Sequence, residues 1–281
     1  MTHMLKTVLK DILSSEELSD LCSGFDIIGD IIIIKIPDSL ISKKKVIANA
    51  ILENVKPAKS IFVQISAVQG DFRLRKLEHV AGSMNTLTEY KEHGCRFKVD
   101  VEKTYFSPRL SSERLRIAKL ITEDEVITNM FAGVGTYSIL IAKINTKCKV
   151  YSIDLNPSAD ALCTINIQLN KVEDRVLPIC GDAREIIDRR LQGVSNRVLM
   201  PLPEKAKEFI DSAVLALKDK KGIVHYFLHT RSTTKKLALE QGTIGTNNAF
   251  INYKHEILAT RVVREVGPKL YQIVSDVAVA G

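Results

Sequence analysis

No CxxC pair occurs in this chain. Its five cysteines, Cys22, Cys95, Cys148, Cys163 and Cys180, are odd in number and widely spaced. That pattern argues against a disulfide framework and against a zinc site, so no metal is expected, and the cysteines read as small buried residues of a reducing compartment. Long apolar runs are missing too. The all-isoleucine run Ile31 to Ile34 is stopped by Lys35, far short of the roughly 20 residues a helix needs to cross a bilayer. No charged-then-apolar leader opens the chain, so a secretory signal is not expected and a cytoplasmic protein without membrane contact is. Internal repeats and low-complexity tracts are also lacking. What is present is an ordinary globular composition, 45% apolar and 26% charged over 281 residues, enough for one large domain or a core with a smaller module. The formal net charge of +7 favours a polyanionic partner.

The texture changes near Asp100. Before it, strand-like runs at Phe25 to Ile36, Ser60 to Ile65, Gln69 to Leu77 and Gly94 to Val99 surround a helical repeat from Ser39 to Val55, which reads as a small α+β module. After Leu110 strands and helices alternate. Strands are expected at Glu125 to Met130, Lys149 to Asp154, Arg175 to Cys180, Arg197 to Met200 and Gly222 to His229. Helices are expected at Thr136 to Ile144, Pro157 to Asn170 and Glu204 to Leu217. Alternation of this kind implies a parallel sheet covered on both faces. His255 to Arg264 and Tyr271 to Val279 would close it as an antiparallel pair. The expected division is a positioning module over residues 1–105 and a cofactor-binding domain over residues 106–281.

Three strand ends carry the chemistry. The first runs into Asn129-Met130-Phe131-Ala132-Gly133-Val134-Gly135, a glycine-rich turn that lets the backbone approach a ligand at the carboxyl edge of an open sheet. A dinucleotide fingerprint needs a third glycine, and here Thr136, Tyr137 and Ser138 follow instead. The second ends in Asp154, whose carboxylate would bind a ribose diol or, equally, cap the helix opening at Pro157. The third ends in Gly181-Asp182-Ala183-Arg184, where Asp182 would meet an adenine amino group or serve as another cap. The three together point to adenosylmethionine rather than NAD.

With Asp71-Phe72-Arg73-Leu74-Arg75, Tyr105-Phe106-Ser107-Pro108-Arg109-Leu110, Ser112-Glu113-Arg114 and Asp154-Leu155-Asn156-Pro157 added to those strand ends, the chain resembles the archaeal and eukaryotic tRNA guanine-37 N1-methyltransferase family, including its wyosine-precursor branch. The resemblance runs from about Asp71 to the C-terminus. It implies a class I methyltransferase, Rossmann-like doubly wound α/β sheet with S-adenosyl-L-methionine as cofactor. It implies that Arg114, Phe131, Ala132, Gly133, Asp154, Leu155, Asp182, Ala183 and Pro201 line the cofactor pocket. Glu113 would be the base that deprotonates the purine, and Arg73 would face the guanine O6. Where family members carry Asn-Leu-Pro, this chain has Pro201-Leu202-Pro203, so a side-chain amide is replaced by a residue offering only a carbonyl.

The implied partner is the anticodon stem-loop of tRNA, bound by a protein expected to be a monomer. Between Asp71 and Lys119 there are 11 Lys or Arg against 7 Asp or Glu. Arg73, Arg75, Lys76, Arg96, Lys98 and Arg109 would follow phosphates, with Arg75, Tyr105 and Arg109 as the chosen RNA contacts and Tyr105 a platform for a base turned out of its stack. Two alternatives stay open: transfer of the aminocarboxypropyl group of the same cofactor, and a non-catalytic RNA-binding relative.

Overall fold

The computed structural model describes residues 7–21 and 25–281, so Cys22 lies outside the described residues. The chain divides into two compact units, Met1–Pro108 and Arg109–Gly281.

In the first unit a short capped helix, α1 (Ser15–Asp20), precedes β1 (Phe25–Ile28), β2 (Ile31–Ile34), α2 (Lys44–Asn54), β3 (Ser60–Gln64), β4 (Leu77–Gly82), β5 (Leu87–Glu92) and β6 (Cys95–Asp100). Strands β1 to β4 form a mixed sheet in that order, and β5 and β6 form a separate hairpin. Strand β2 runs antiparallel to β1 and parallel to β3, and a parallel neighbour demands a crossover, which α2 supplies. Ile47, Ala48 and Ile51 of α2 share one core with Ile32, Ile34, Ile61 and Val63. All four isoleucines of β2 are buried, the continuous apolar run of a strand covered on both faces.

Two expectations fail in this unit. Phe25 to Ile36 is not one strand: the chain turns at Gly29, whose φ of +60° suits glycine and whose missing Cβ leaves room for the backbone of Glu89. Gln69 to Leu77 is not a strand either. Gly70 and Arg73 both take positive φ and fold the segment into a tight turn, closed by a reciprocal pair of backbone bonds between Gln69 and Leu74 at 2.9 and 3.1 Å.

The second unit opens with α3 (Ser111–Leu120) and continues through β7 (Val126–Asn129), α4 (Thr136–Ile144), β8 (Lys149–Asp154), α5 (Pro157–Asn170), β9 (Val176–Cys180), the one-turn α6 (Ala183–Ile186), β10 (Arg197–Met200), α7 (Ile210–Ala216), β11 (Gly222–Arg231), α8 (Lys235–Ala249), β12 (His255–Gly267) and β13 (Leu270–Val279). The seven strands are ordered β12-β13-β11-β10-β7-β8-β9. The five on the β7 side are parallel, whereas β13 lies antiparallel between β11 and β12. This is the doubly wound sheet with a closing antiparallel pair that the alternation implies. The order reverses at β7, between β8 and β10, and in open α/β sheets a ligand crevice opens at such a switch, beyond the strands' carboxyl ends. Every residue of β10 is buried.

The sequence reading missed α8, whose side chains are mixed and whose Gly242 and Gly245 dilute any helical stripe. Gly242 is there because a Cβ would sit 2.8 Å from Ile273 of β13. The helix expected over Glu204 to Leu217 is shorter: Ala206–Phe209 is wound as 3₁₀ and only Ile210–Ala216 is α. Strand β12 pairs with β13 through three register shifts. Of the described cysteines, Cys95, Cys148 and Cys163 are buried as expected, but Cys180 is exposed, because it ends an edge strand.

Gly135 holds the turn between β7 and α4 with φ +87°, and a Cβ there would lie 2.7 Å from Cys163 Sγ and 3.0 Å from Ile139. Gly135→Ala is therefore expected to destabilise the protein by about 2 kcal/mol, combining backbone strain and overpacking. The added change Cys163→Ala should recover only the packing part, as read from thermal or urea unfolding midpoints.

Candidate cofactor and base site

Four parallel strands deliver their ends to one edge of the sheet. At the end of β7, Asn129 is fully buried and donates to Ser138 Oγ at 3.1 Å, and Ser138 in turn meets Ser152 of β8 at 2.8 Å. These side-chain bonds tie the base of the turn to α4 and β8. Gly133 and Gly135 follow with φ of +56° and +87°, a left-handed conformation that other residues resist.

At the end of β8, Asp154 accepts from the Gly133 N–H at 2.6 Å and from the Asn156 N–H at 2.9 Å. Burial raises its pKa above the ordinary aspartate value, although the two backbone donors pull the other way. The helix-capping role considered for Asp154 belongs instead to Asn156, whose side chain accepts from the Ser158 N–H at 3.0 Å. A carboxylate offers about four acceptor positions, and backbone donors take two, so Asp154 keeps capacity for a pair of hydroxyls. Leu155 beside it is exposed at 45%, an apolar surface next to a polar anchor.

At the end of β9, Asp182 caps α6 through the Arg184 N–H at 2.8 Å and also holds the Arg184 guanidinium at 2.8 Å. That hydrogen bond and charge keep its carboxyl below the ordinary aspartate pKa. Arg184 lies 4.6 Å over the Phe209 ring, and Phe209 meets Phe131 edge-on at 5.0 Å. Asp182 and Phe131, expected together from sequence, are thus linked through two side chains the sequence reading did not assign. Ala183 is buried, and Ala132 likewise, while Pro201 sits half-buried just past β10. The donor set fits a nucleoside cofactor: acceptor oxygens at two adjacent strand ends, apolar faces at Phe131 and Leu155, and glycine backbone between them. Burial pushes the nearby Cys163 thiol up to about 12, so it is not a nucleophile at neutral pH.

Helix α3 contributes the second group. Glu113 is only 4% exposed and Arg114 only 2%, and Glu113 pairs with Arg116 at 2.7 Å. Arg261 of β12 stands 3.9 Å away. Burial raises the Glu113 pKa above the usual glutamate value, against the pull of Arg116 and Arg261. Arg116 also reaches Asp276 of β13 at 2.6 Å. Sequence reading missed Asp276, and the available signal was an ionisable residue in the middle of an apolar strand, Ile273-Val274-Ser275-Asp276-Val277.

In the first unit, the Arg73 guanidinium lies 4.1 Å over the Tyr105 ring, which brings together two residues chosen separately from the sequence. Arg75 has an internal partner, Asp26 at 3.3 Å, with both side chains largely covered. Arg96 and Lys98 converge on Glu89 at 2.8 and 3.7 Å. Phe106 is core, packed edge-on against Tyr90 at 4.9 Å. Arg109 is exposed at the start of the second unit. Among the described residues no cluster of His, Cys, Asp and Glu could hold a metal ion, and no helix is long and apolar enough to cross a membrane.

The comparisons with known proteins agree with this geometry. Residues 88–245 match the TRM5/TYW2 methyltransferase domain, and residues 5–86 the TYW2 N-terminal domain. The chain is 37% identical to the tRNA (guanine(37)-N(1))-methyltransferase Trm5b of Methanocaldococcus jannaschii, over 96% of this chain and 77% of that protein. It is 38% identical to the tRNA 4-demethylwyosine(37)-methyltransferase Taw21 of Saccharolobus solfataricus, over 97% of this chain and 99% of that one. Among solved structures, aTrm5 in complex with tRNALeu superposes with a TM-score of 0.84 at 34% identity, covering 100% of this chain and 79% of that one. TYW2 of P. horikoshii in complex with MeSAdo superposes with a TM-score of 0.78 at 30% identity, covering 99% of each chain. From the strand ends it presents and the relatives it matches, this chain belongs to the TRM5/TYW2 methyltransferase family.

Proposed function

We propose that this protein is a cytoplasmic, S-adenosylmethionine-dependent tRNA methyltransferase acting on the purine at position 37 of the anticodon loop, at N1 of guanosine, C7 of the tricyclic 4-demethylwyosine, or both. The observation that carries the reading is the gathering of Phe131, Asp154, Asp182 and Pro201 at the carboxyl edge of four parallel strands. Relatives named for both reactions support it, Trm5b for guanosine and Taw21 for the tricyclic base.

In this reading Asp154 holds the ribose of the cofactor, Asp182 its adenine amino group, and Gly133, Ala132 and Ala183 let the backbone close on it. Phe131, Leu155, Pro201 and the Arg114 side chain complete the lining. The bound cofactor supplies a methyl group already electrophilic on its sulfonium. Glu113 supplies the base. Guanine N1 carries a proton at neutral pH, and a carboxylate within reach removes it as the nucleophile attacks. Burial keeps Glu113 more basic than an exposed glutamate, which brings its proton affinity closer to the working pH. Arg73 is proposed to stabilise charge growing on O6, with Tyr105 beneath its guanidinium. On a tricyclic base the nucleophile is a ring carbon, and the same carboxylate would take the proton that carbon releases. Arg75 and Arg109 are proposed RNA contacts, and the first unit is proposed to position the RNA.

Incubation with methyl-labelled cofactor and two tRNAs, one with unmodified guanosine 37 and one with the tricyclic precursor, should yield a methylated nucleoside by mass spectrometry. A product heavier by an aminocarboxypropyl group would instead assign the protein to the transferase branch, and no product with either would remove the reading. Asp154→Ala should weaken cofactor binding by about 10- to 100-fold, the range for one charged hydrogen bond; calorimetry returning wild-type affinity would discard its ribose role. Glu113→Gln should slow single-turnover methyl transfer by about 10²- to 10⁴-fold with tRNA affinity retained. The wild-type rate should fall as pH drops through a midpoint above the ordinary carboxylate range, and the residual rate of Glu113→Gln should lack that limb.

A further inference from the structure

Six ionisable side chains run through the second unit in an unbroken file. Glu113 accepts from Arg116 at 2.7 and 3.0 Å. Arg116 spans to Asp276 at 2.6 and 3.0 Å. Asp276 Oδ1 lies 2.6 Å from His225 Nδ1 on β11, and His225 Nε2 lies 2.9 Å from Arg197 Nη1 on β10. Arg197 closes on Glu125 at 2.6 and 3.0 Å. His225 is fully buried, and Asp276 and Arg197 are 7% and 8% exposed.

Donor counting fixes the protons. A guanidinium can only donate, so His225 Nε2 accepts from Arg197, and the one ring proton sits on Nδ1, aimed at Asp276. A second proton on His225 would set N–H against N–H between two cations. Burial, with Arg197 and Arg116, holds the imidazole below its ordinary pKa against the pull of Asp276. His225 is therefore a neutral donor, and Asp276 receives three N–H groups. Burial alone would raise the Asp276 carboxyl, but the bonds from His225 and Arg116 outweigh it and keep it well below the usual carboxylate range.

Buried ion pairs contribute little net stability compared with apolar packing, so stability alone gives this file little reason to exist. Its distinguishing feature is where it ends. The Arg116 guanidinium is shared between Asp276 and Glu113, so Glu113 is fixed in place while receiving only part of the counter-charge. We infer that Asp276, anchored by His225, is a positioning residue that acts through Arg116 to orient Glu113 while leaving it basic enough to take a proton. The inference rests on the reading of Glu113 as the base.

The groups facing Glu113 are Arg116 from its own helix, Arg261 from β12, and Asp276 from β13 behind Arg116, with His225 from β11 neutral. Two substitutions then act in opposite directions. Asp276→Asn leaves the whole Arg116 charge to Glu113 and lowers its proton affinity. Arg116→Gln removes the nearest cation and raises it. General loosening of the site would move both variants the same way.

The test uses the full chain with glutamate labelled at the side-chain carboxyl carbon. The Glu113 resonance is assigned by its absence in Glu113→Gln, and its titration is followed by NMR in wild type and both variants beside the pH dependence of single-turnover rate. The Glu113 midpoint should fall in Asp276→Asn and rise in Arg116→Gln, each by about one pH unit, and the acid limb of the rate should follow. Midpoints that stay put or move together overturn the positioning role, and Glu113 stands as the base if Glu113→Gln is inactive. Midpoints that separate while Glu113→Gln stays active overturn the base reading, and the positioning role with it. If Asp276→Asn does not fold, Arg116→Gln decides alone: an unmoved midpoint overturns the proposal.

Discussion

The bond on which the proposed cofactor edge depends is the one between the Asp154 carboxylate and the Gly133 N–H, 2.6 Å long. It joins the ends of two neighbouring parallel strands at the point where strand order reverses. It acts beside the bond from the Ala132 N–H to the Ile153 carbonyl at 2.8 Å and the bond from the Asn166 side chain to the Val134 carbonyl at 3.0 Å, and together they restrict a turn built on glycine, the residue with the most freedom to lose on ordering. The carboxylate is itself held by the Asn156 N–H, and Asn156 is held by its cap on α5. The turn, the second strand end and the following helix are thus one rigid assembly before any ligand arrives. Preorganisation of this kind lowers the ordering cost that binding must otherwise meet.

The same logic of mutual support runs through α3. A buried glutamate is costly unless a cation and hydrogen bonds accompany it, and Arg116 provides both while leaning on β13. The two chemical groups of the proposed reaction are therefore anchored differently: the cofactor edge by backbone amides at strand ends, and the proposed base by a guanidinium shared with a distant strand.

Much of the second unit was legible in sequence because its parallel strands are short apolar runs followed by helices with clear starts, such as Pro157 after Asn156. The positions proposed to meet the cofactor at the sheet edge share that local logic: Phe131, Asp154, Asp182 and Pro201 each lie at or just past a strand end. What escaped has a common cause. Arg116 and Asp276 are 160 residues apart, and no local pattern announces a bond of that span. Strand β4, with the sequence Leu-Glu-His-Val-Ala-Gly and four half-buried positions at its start, lacks the alternation that marks a strand with one wet face. Helix α8 owes its place to packing of Gly242 on Ile273, a tertiary reason that propensity does not contain. Gln69 to Leu77 misled because alternating side chains were read without weighing a left-handed Gly70 and Arg73.

Strand β12 forms one border of the large sheet, thirteen residues long and flanked on one side only. A border of that length would ordinarily template further strands from other molecules. Here the spacing of its amides slips at three places, and Arg261, Arg264 and Glu265 stand along it. An incoming strand would find its hydrogen-bond rhythm broken every few residues and charge beside each break. The irregularities that make this hairpin untidy would thus oppose the addition of a further strand at this border.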